Sequence, residues 1–151
     1  MLALPAEYRA FGHPRAVGVH VTYLRPDGQG KAEGKRPKIM LGGAGVVRLV
    51  PDEEVTMSLG LAEGIETALS VIQGHDWRPV WAAGSAGGIG AFPILSGIEA
   101  LTVFADADDR GVGIAAGRRC AARWRKAGHE AQIVIPRLGE DFNDNLRRSV
   151  A

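Results

Sequence analysis

Leu61-Ala62-Glu63-Gly64-Ile65-Glu66-Thr67-Ala68-Leu69 sits where one hydrophobic spacing gives way to another. Residues 55–62 form a short apolar run, whereas Ile65, Ala68, Leu69 and Ile72 recur at the spacing of one helix face. The pattern predicts a buried strand ending at Glu63-Gly64 and a helix that Gly74 stops. It therefore places an acid at the carboxyl end of a strand, directly before a helix.

The same alternation continues downstream. Residues 79–83 predict a second strand, 101–105 a third and 131–135 a fourth, closed by Pro136. A long helix is predicted over 111–127, with Val112, Ala116, Cys120 and Trp124 on its apolar stripe and Gly128 placed to cap it. A short last helix is predicted over 141–148. Strands alternating with helices imply βαβ crossovers and a mostly parallel sheet covered on both faces. Between the second and third strands, Gly84-Ser85-Ala86-Gly87-Gly88-Ile89-Gly90 reads as a tight crossover loop. It has neither the Lys-Ser/Thr of a phosphate-binding P-loop nor a clean Gly-x-Gly-x-x-Gly.

Upstream the period is two. Val17, Val19, Val21 and Tyr23 alternate with Gly18, His20, Thr22 and Leu24 up to the turn Pro26-Asp27-Gly28. With the apolar runs 39–41 and 46–50, this predicts a small antiparallel meander of three or four strands. Pro51-Asp52-Glu53-Glu54 is the expected boundary, dividing the chain into a β-rich subdomain (1–53) and an α/β domain (54–151) of about four mostly parallel strands flanked by helices.

Composition agrees with a folded chain of about one domain's length. Of 151 residues, 46% are hydrophobic and 23% charged, enough to fill a core and cover it, which excludes a disordered chain. No apolar run approaches the ~18–20 residues that cross a bilayer, and the amino-terminal stretch lacks the pattern of a secretory signal. The single cysteine, Cys120, excludes an internal disulfide and a cysteine-cluster zinc site, so a cytoplasmic setting without membrane is expected. The net charge of +1 conceals segregation. Residues 1–50 carry eight basic and three acidic groups, 51–109 one and ten, and 110–151 nine and four. An acidic middle between basic flanks suits a divalent cation held among carboxylates with a polyanion around it.

The acids cluster where an open parallel sheet binds ligands, beyond the carboxyl ends of its strands. Glu63 follows the first such strand and Asp106-Ala107-Asp108-Asp109 the third. An extended backbone would put Asp106 and Asp108 on one side, about 6–7 Å apart. Mg²⁺ takes oxygen ligands and is held by one or two carboxylates, water and substrate phosphates. A carboxylate at a strand end also serves as a helix cap, a role open to Asp109. Asp141, with Asp144 three residues on, fits the start of the last helix equally well. Lys31, Lys35, Arg36 and Lys38 are candidates for holding phosphates. Arg118, Arg119, Arg123, Arg125 and Lys126 read as a solvated helix face, and the scattered histidines show no metal-ligand spacing.

Glu63-Gly64 after one strand and Asp106-x-Asp108-x-x-Gly111 after a later one resemble the Toprim domain of bacterial-type primases, topoisomerases and some nucleases. The wording of 61–69 is similar to the branch found in primase and primase-helicase proteins of phages, plasmids and integrated elements. The hairpin over 18–28, the segments Lys35-Arg36 and Gly42-Gly43, and Gly139-Glu140-Asp141-Phe142-Asn143-Asp144-Asn145-Leu146 are similar to what flanks the core in that branch. The resemblance implies Mg²⁺- or Mn²⁺-dependent nucleotidyl transfer: primer synthesis on single-stranded DNA from nucleoside triphosphates, in a setting that includes a helicase or other replication protein. Glu63 would be the acid/base and also a metal contact, and Asp106 and Asp108 the cation-holding pair, with Asp109 as a further metal ligand beside them. Glu66, Asp141 and Asp144 would be outer contacts. Bacterial primases carry a further acid four residues after the glutamate, where this chain has Thr67. Two other readings fit the same residues: a Toprim nuclease, in which the acids activate water, and a non-catalytic module that binds nucleic acid or a partner.

Overall fold

The computed structural model describes residues 2–3, 17–43, 45–107, 111–137, 141–143 and 146. Two sheets organise it. In the first, β1 (Leu2–Ala3), β2 (Gly18–Thr22) and β3 (Lys38–Gly42) run antiparallel in the order β1-β2-β3. Val19 lies opposite Leu41, and Thr22 opposite Lys38. Between β2 and β3 the chain turns at Pro26-Asp27-Gly28, where the Gly28 N–H donates to the Arg25 carbonyl at 2.9 Å. Gly28 takes φ +70°, open to it because it lacks a Cβ.

The second sheet has five strands: β4 (Val47–Arg48), β5 (Ser58–Ala62), β6 (Val80–Ala82), β7 (Ala100–Phe104) and β8 (Glu130–Val134). Their order is β4-β6-β5-β7-β8, parallel except for β4 against β6. Both faces are covered. Leu59, Leu61, Trp81, Leu101 and Val103 pack with Ile89, Ala116, Cys120 and Trp124 on one side. Ala62, Val80, Ala82 and Phe104 pack with Ala68, Val71 and Phe142 on the other. Burial on both faces is why the parallel strands read as continuous apolar runs.

Three helices make these layers: α1 (Ile65–His75), α2 (Ala86–Ala91) and α3 (Val112–Lys126). The mixed α/β architecture and the mostly parallel sheet are as the spacing predicts, and several local expectations are corrected. The run 46–50 does not complete the small meander, because Val47 and Arg48 pair with Ala82 and Trp81 at the edge of the large sheet. Arg48 is fixed there by a cation–π contact of 4.8 Å to the Trp81 ring and an ion pair to Asp52.

Gly74 does not stop α1. The helix continues to His75 and ends at Asp76 in the left-handed region, φ 46°. Gly74 instead makes room for Leu146, whose Cδ1 would lie 2.7 Å from a Cβ at that position. The glycine-rich 84–90 segment is a capped helical turn rather than a loop. Ser85 Oγ accepts the Gly88 N–H at 3.0 Å, and a Cβ on Gly88 would lie 2.3 Å from the Ala83 carbonyl oxygen. A cap and close packing outweigh the low helix propensity of glycine. On α3, Ala116, Cys120 and Trp124 are fully buried as predicted, but Val112, at the helix start, is 47% exposed.

Candidate metal and nucleotide site

β5 connects through α1 to β6 on one side, and β7 connects through α3 to β8 on the other. The chain therefore diverges between β5 and β7, and α1 and α3 leave on opposite faces of the sheet. Such a divergence opens a crevice at the carboxyl ends of the two strands. The β5–β7 register pairs Ala62 with Phe104, so Glu63 and Asp106 emerge from adjacent strands at that crevice.

Both carboxylate residues are half-buried. Gly113, in the first turn of α3, lies against both: a Cβ there would sit 2.9 Å from the Asp106 carbonyl oxygen and 3.3 Å from Glu63 Oε2. On the opposite side Thr67 Oγ1 donates to Asp106 Oδ1 at 3.1 Å. Asp108, Asp109 and Asp144 lie outside the described residues. Among the described residues no three His, Cys, Asp or Glu side chains are grouped as a metal site would require. The donors that are present, two carboxylates at one crevice, are hard oxygen ligands of the kind and number Mg²⁺ draws from a protein.

The first turn of α1 also faces the small sheet. A cleft of about 800 Å³ lies there, with His20, Arg25 and Lys31 on one wall, Ile65, Glu66 and Leu69 on the other, and Asn143 at its margin. Lys31 and Lys38, candidates for holding phosphates, both engage Glu66: Lys31 Nζ is 3.2 Å and Lys38 Nζ 2.9 Å from its Oε1. Burial by itself pushes the Glu66 carboxyl up. Hydrogen bonds from Lys38, its own backbone and Lys31, with the Lys38 charge, outweigh burial and bring the pKa to about 2. Lys35 and Arg36 lie exposed on the connection between β2 and β3.

The basic face of α3 is partly structural. Arg123 donates to the Gly90 carbonyl at 2.7 Å and also to that of Phe92, clamping α2 to α3. Arg125 donates to the Ala131 carbonyl at 2.7 Å. Arg118 and Arg119 remain exposed. Asp141 precedes the helical residues Phe142 and Asn143, the place a cap would take. Phe142 is buried edge-on against Phe104, ring centroids 5.4 Å apart.

Sequence reasoning missed Gly113 and the cleft residues His20, Arg25 and Asn143, and it met Thr67 only as a departure from a pattern. Gly111-Val112-Gly113 carried a signal for the first, since two glycines at a helix start mark a close approach of backbone. The wall residues share no local motif, because the cleft forms between segments about 40 residues apart.

An acid-tipped pair of adjacent parallel strands at the sheet's point of divergence is a Toprim arrangement, and the Toprim domain profile matches residues 58–151. The chain belongs to the Toprim domain family. Its fold is similar to that of the crystal structure of the primase fragment of the bacteriophage T7 primase-helicase protein, with a TM-score of 0.58 and 16% sequence identity. The similarity covers 87% of this chain and 58% of the phage fragment, so the chain spans little more than half of that structure. Among curated proteins no relative is found.

Proposed function

We propose that the chain carries the nucleotidyl-transfer centre of a primase-type protein, synthesising primers on single-stranded DNA from nucleoside triphosphates. The observation that carries this reading is the emergence of Glu63 and Asp106 from neighbouring parallel strands at one crevice. Membership of the Toprim family and the fold shared with a phage primase fragment support it.

In this reading Glu63 and Asp106, with Asp108 and Asp109, hold Mg²⁺ or Mn²⁺. When bound, the cation neutralises charge on the phosphates and polarises the attacked phosphorus. Glu63 accepts the proton of the primer 3′-hydroxyl as its oxygen bonds to the α-phosphorus of the incoming nucleotide and the bond to the β-phosphate breaks, releasing pyrophosphate. Lys31, Lys35, Arg36 and Lys38 hold substrate or template phosphates. The small antiparallel sheet within residues 1–53 acts as the substrate-holding unit and 54–151 as the catalytic one, with β4 of the first segment lending its sheet an edge strand. A helicase or other replication protein is the expected partner, in the cytoplasm and in a phage- or plasmid-like replication setting. Among the described residues no helix is long and apolar enough to cross a membrane.

The full chain, incubated with single-stranded DNA, labelled nucleoside triphosphates and Mg²⁺, is expected to yield short oligonucleotides that Glu63→Gln and Asp106→Ala do not make. Shortened DNA in place of new oligonucleotides would assign the acids to hydrolysis. DNA binding that survives both substitutions, without either product, would leave a binding module.

A further inference from the structure

We infer that Thr67 is a positioning residue that orients the Asp106 carboxylate to receive the cation, an inference that rests on the reading of Glu63 and Asp106 as its ligands. Thr67 lies in the first turn of α1, is 3% exposed, and sends its hydroxyl across 39 residues of sequence to Asp106 Oδ1. A hydroxyl has a single proton to give, and here it is directed at the carboxylate that follows the neighbouring strand.

The identity of the residue matters at this position. The first turn of a helix favours an acid through the helix dipole, and threonine forgoes that stabilisation. A carboxylate at position 67 would instead bring a second negative charge against Asp106 and require additional positive charge to hold the pair together. Threonine supplies a neutral donor, and its β-branch restricts χ1 in a helix to two rotamers, so the direction of the bond is set by the backbone of α1. With Gly113 packed against the Asp106 backbone, the aspartate is fixed at its main chain from α3 and at its side chain from α1. Such outer partners hold ligands in their binding orientation before the metal arrives.

Mn²⁺ titration of the full chain, followed by the electron paramagnetic resonance signal of free Mn²⁺ and accompanied by thermal unfolding of each variant, tests this. Thr67→Val removes the hydroxyl at constant shape, Thr67→Ala removes it with loss of bulk, and Thr67→Ser retains it. Val and Ala are expected to weaken Mn²⁺ binding about tenfold or more, the range for lost outer-shell partners, while Ser stays within about twofold of wild type. If Val does not fold, the comparison of Ala with Ser decides the same question. Wild-type affinity in Val or Ala, whatever their unfolding temperatures, overturns the inference and leaves the ligand reading standing. Equal losses in Ser and Ala overturn it too, because volume rather than the hydroxyl would then be at work. Wild type that binds no Mn²⁺ refutes the reading of Glu63 and Asp106, and the inference with it.

Discussion

Lys38 Nζ lies 2.9 Å from Glu66 Oε1, joining the start of β3 to the first turn of α1. With Lys31 on the same carboxylate, the pair fastens the small sheet to the large domain at one wall of the cleft. The Glu66 pKa of about 2 lies below its ordinary 4.5, so ionised Glu66 stabilises the folded chain. That stabilisation is full above the unfolded-state value near 4.5 and is lost as pH falls toward 2. Because both lysines are substantially solvent-exposed, Glu66→Gln is expected to cost only about 1 kcal/mol at pH 7. Urea unfolding across pH should show wild type and variant converging below pH 4.5; a gap independent of pH would sink the assignment.

Gly113 is expected to resist even alanine. In an exposed helix interior that change would gain up to about 1 kcal/mol of propensity. Here the added carbon meets backbone, the Asp106 carbonyl oxygen at 2.9 Å, which cannot swing aside as a side chain can. Gly113→Ala should therefore lower stability by about 1–3 kcal/mol and weaken Mn²⁺ binding, since α3 must retreat from both carboxylate residues. Unfolding midpoints and Mn²⁺ titration check the two effects together.

The large sheet is legible because its strands are buried on both faces and its helices on one, which writes continuous apolar runs alternating with a helical period into 55–135. Glu63 and Asp106 are legible because they end two apolar strands at the sheet edge where ligands bind, and the acids gathered after 105 exceed the single cap one helix start needs. The helix over 86–91 is not, because it rests on one serine cap and on packing against Ala83, neither of which outweighs its three glycines in a local reading. The strand at 47–48 joins the other sheet from the one its neighbours suggest, because two residues carry no register information and its partner lies more than 30 residues downstream. The engagement of Lys31 and Lys38 by Glu66 is invisible for the same reason: a charge pair between distant segments leaves no spacing to read.

Asp52 is expected to matter more than its half-exposed position suggests. The Arg48 side chain is only 7% exposed and lies over Trp81, with Asp52 as its ion-pair partner four residues on. Asp52→Asn leaves a buried guanidinium without its counter-charge, a change that costs about 3–5 kcal/mol for a fully buried pair and about 2 kcal/mol here, where Asp52 still meets water. Arg48→Met, which removes the charge and keeps the packing on Trp81, should cost less. Calorimetric unfolding of the two variants decides it, and the reverse order would show that the cation–π contact, not the ion pair, holds the edge strand.

The four cations from Lys31 to Lys38 should separate into two kinds. Lys35 and Arg36 are exposed, whereas Lys31 and Lys38 engage Glu66. If all four contact DNA phosphates, each alanine substitution should weaken single-stranded DNA binding and reduce the salt slope by about 0.7, one released counterion per lost contact. Only Lys31→Ala and Lys38→Ala should also lower the unfolding midpoint, because only they remove a tie between the small sheet and α1. Glu66→Gln, which loosens those two lysines without removing a cation, should destabilise the fold and leave the salt slope at the wild-type value. Fluorescence anisotropy against a labelled oligonucleotide over a range of salt, with unfolding measured alongside, reads both quantities. An unchanged slope in Lys35→Ala and Arg36→Ala would confine phosphate contact to Lys31 and Lys38. An unchanged slope in all four would remove this segment from the nucleic-acid surface.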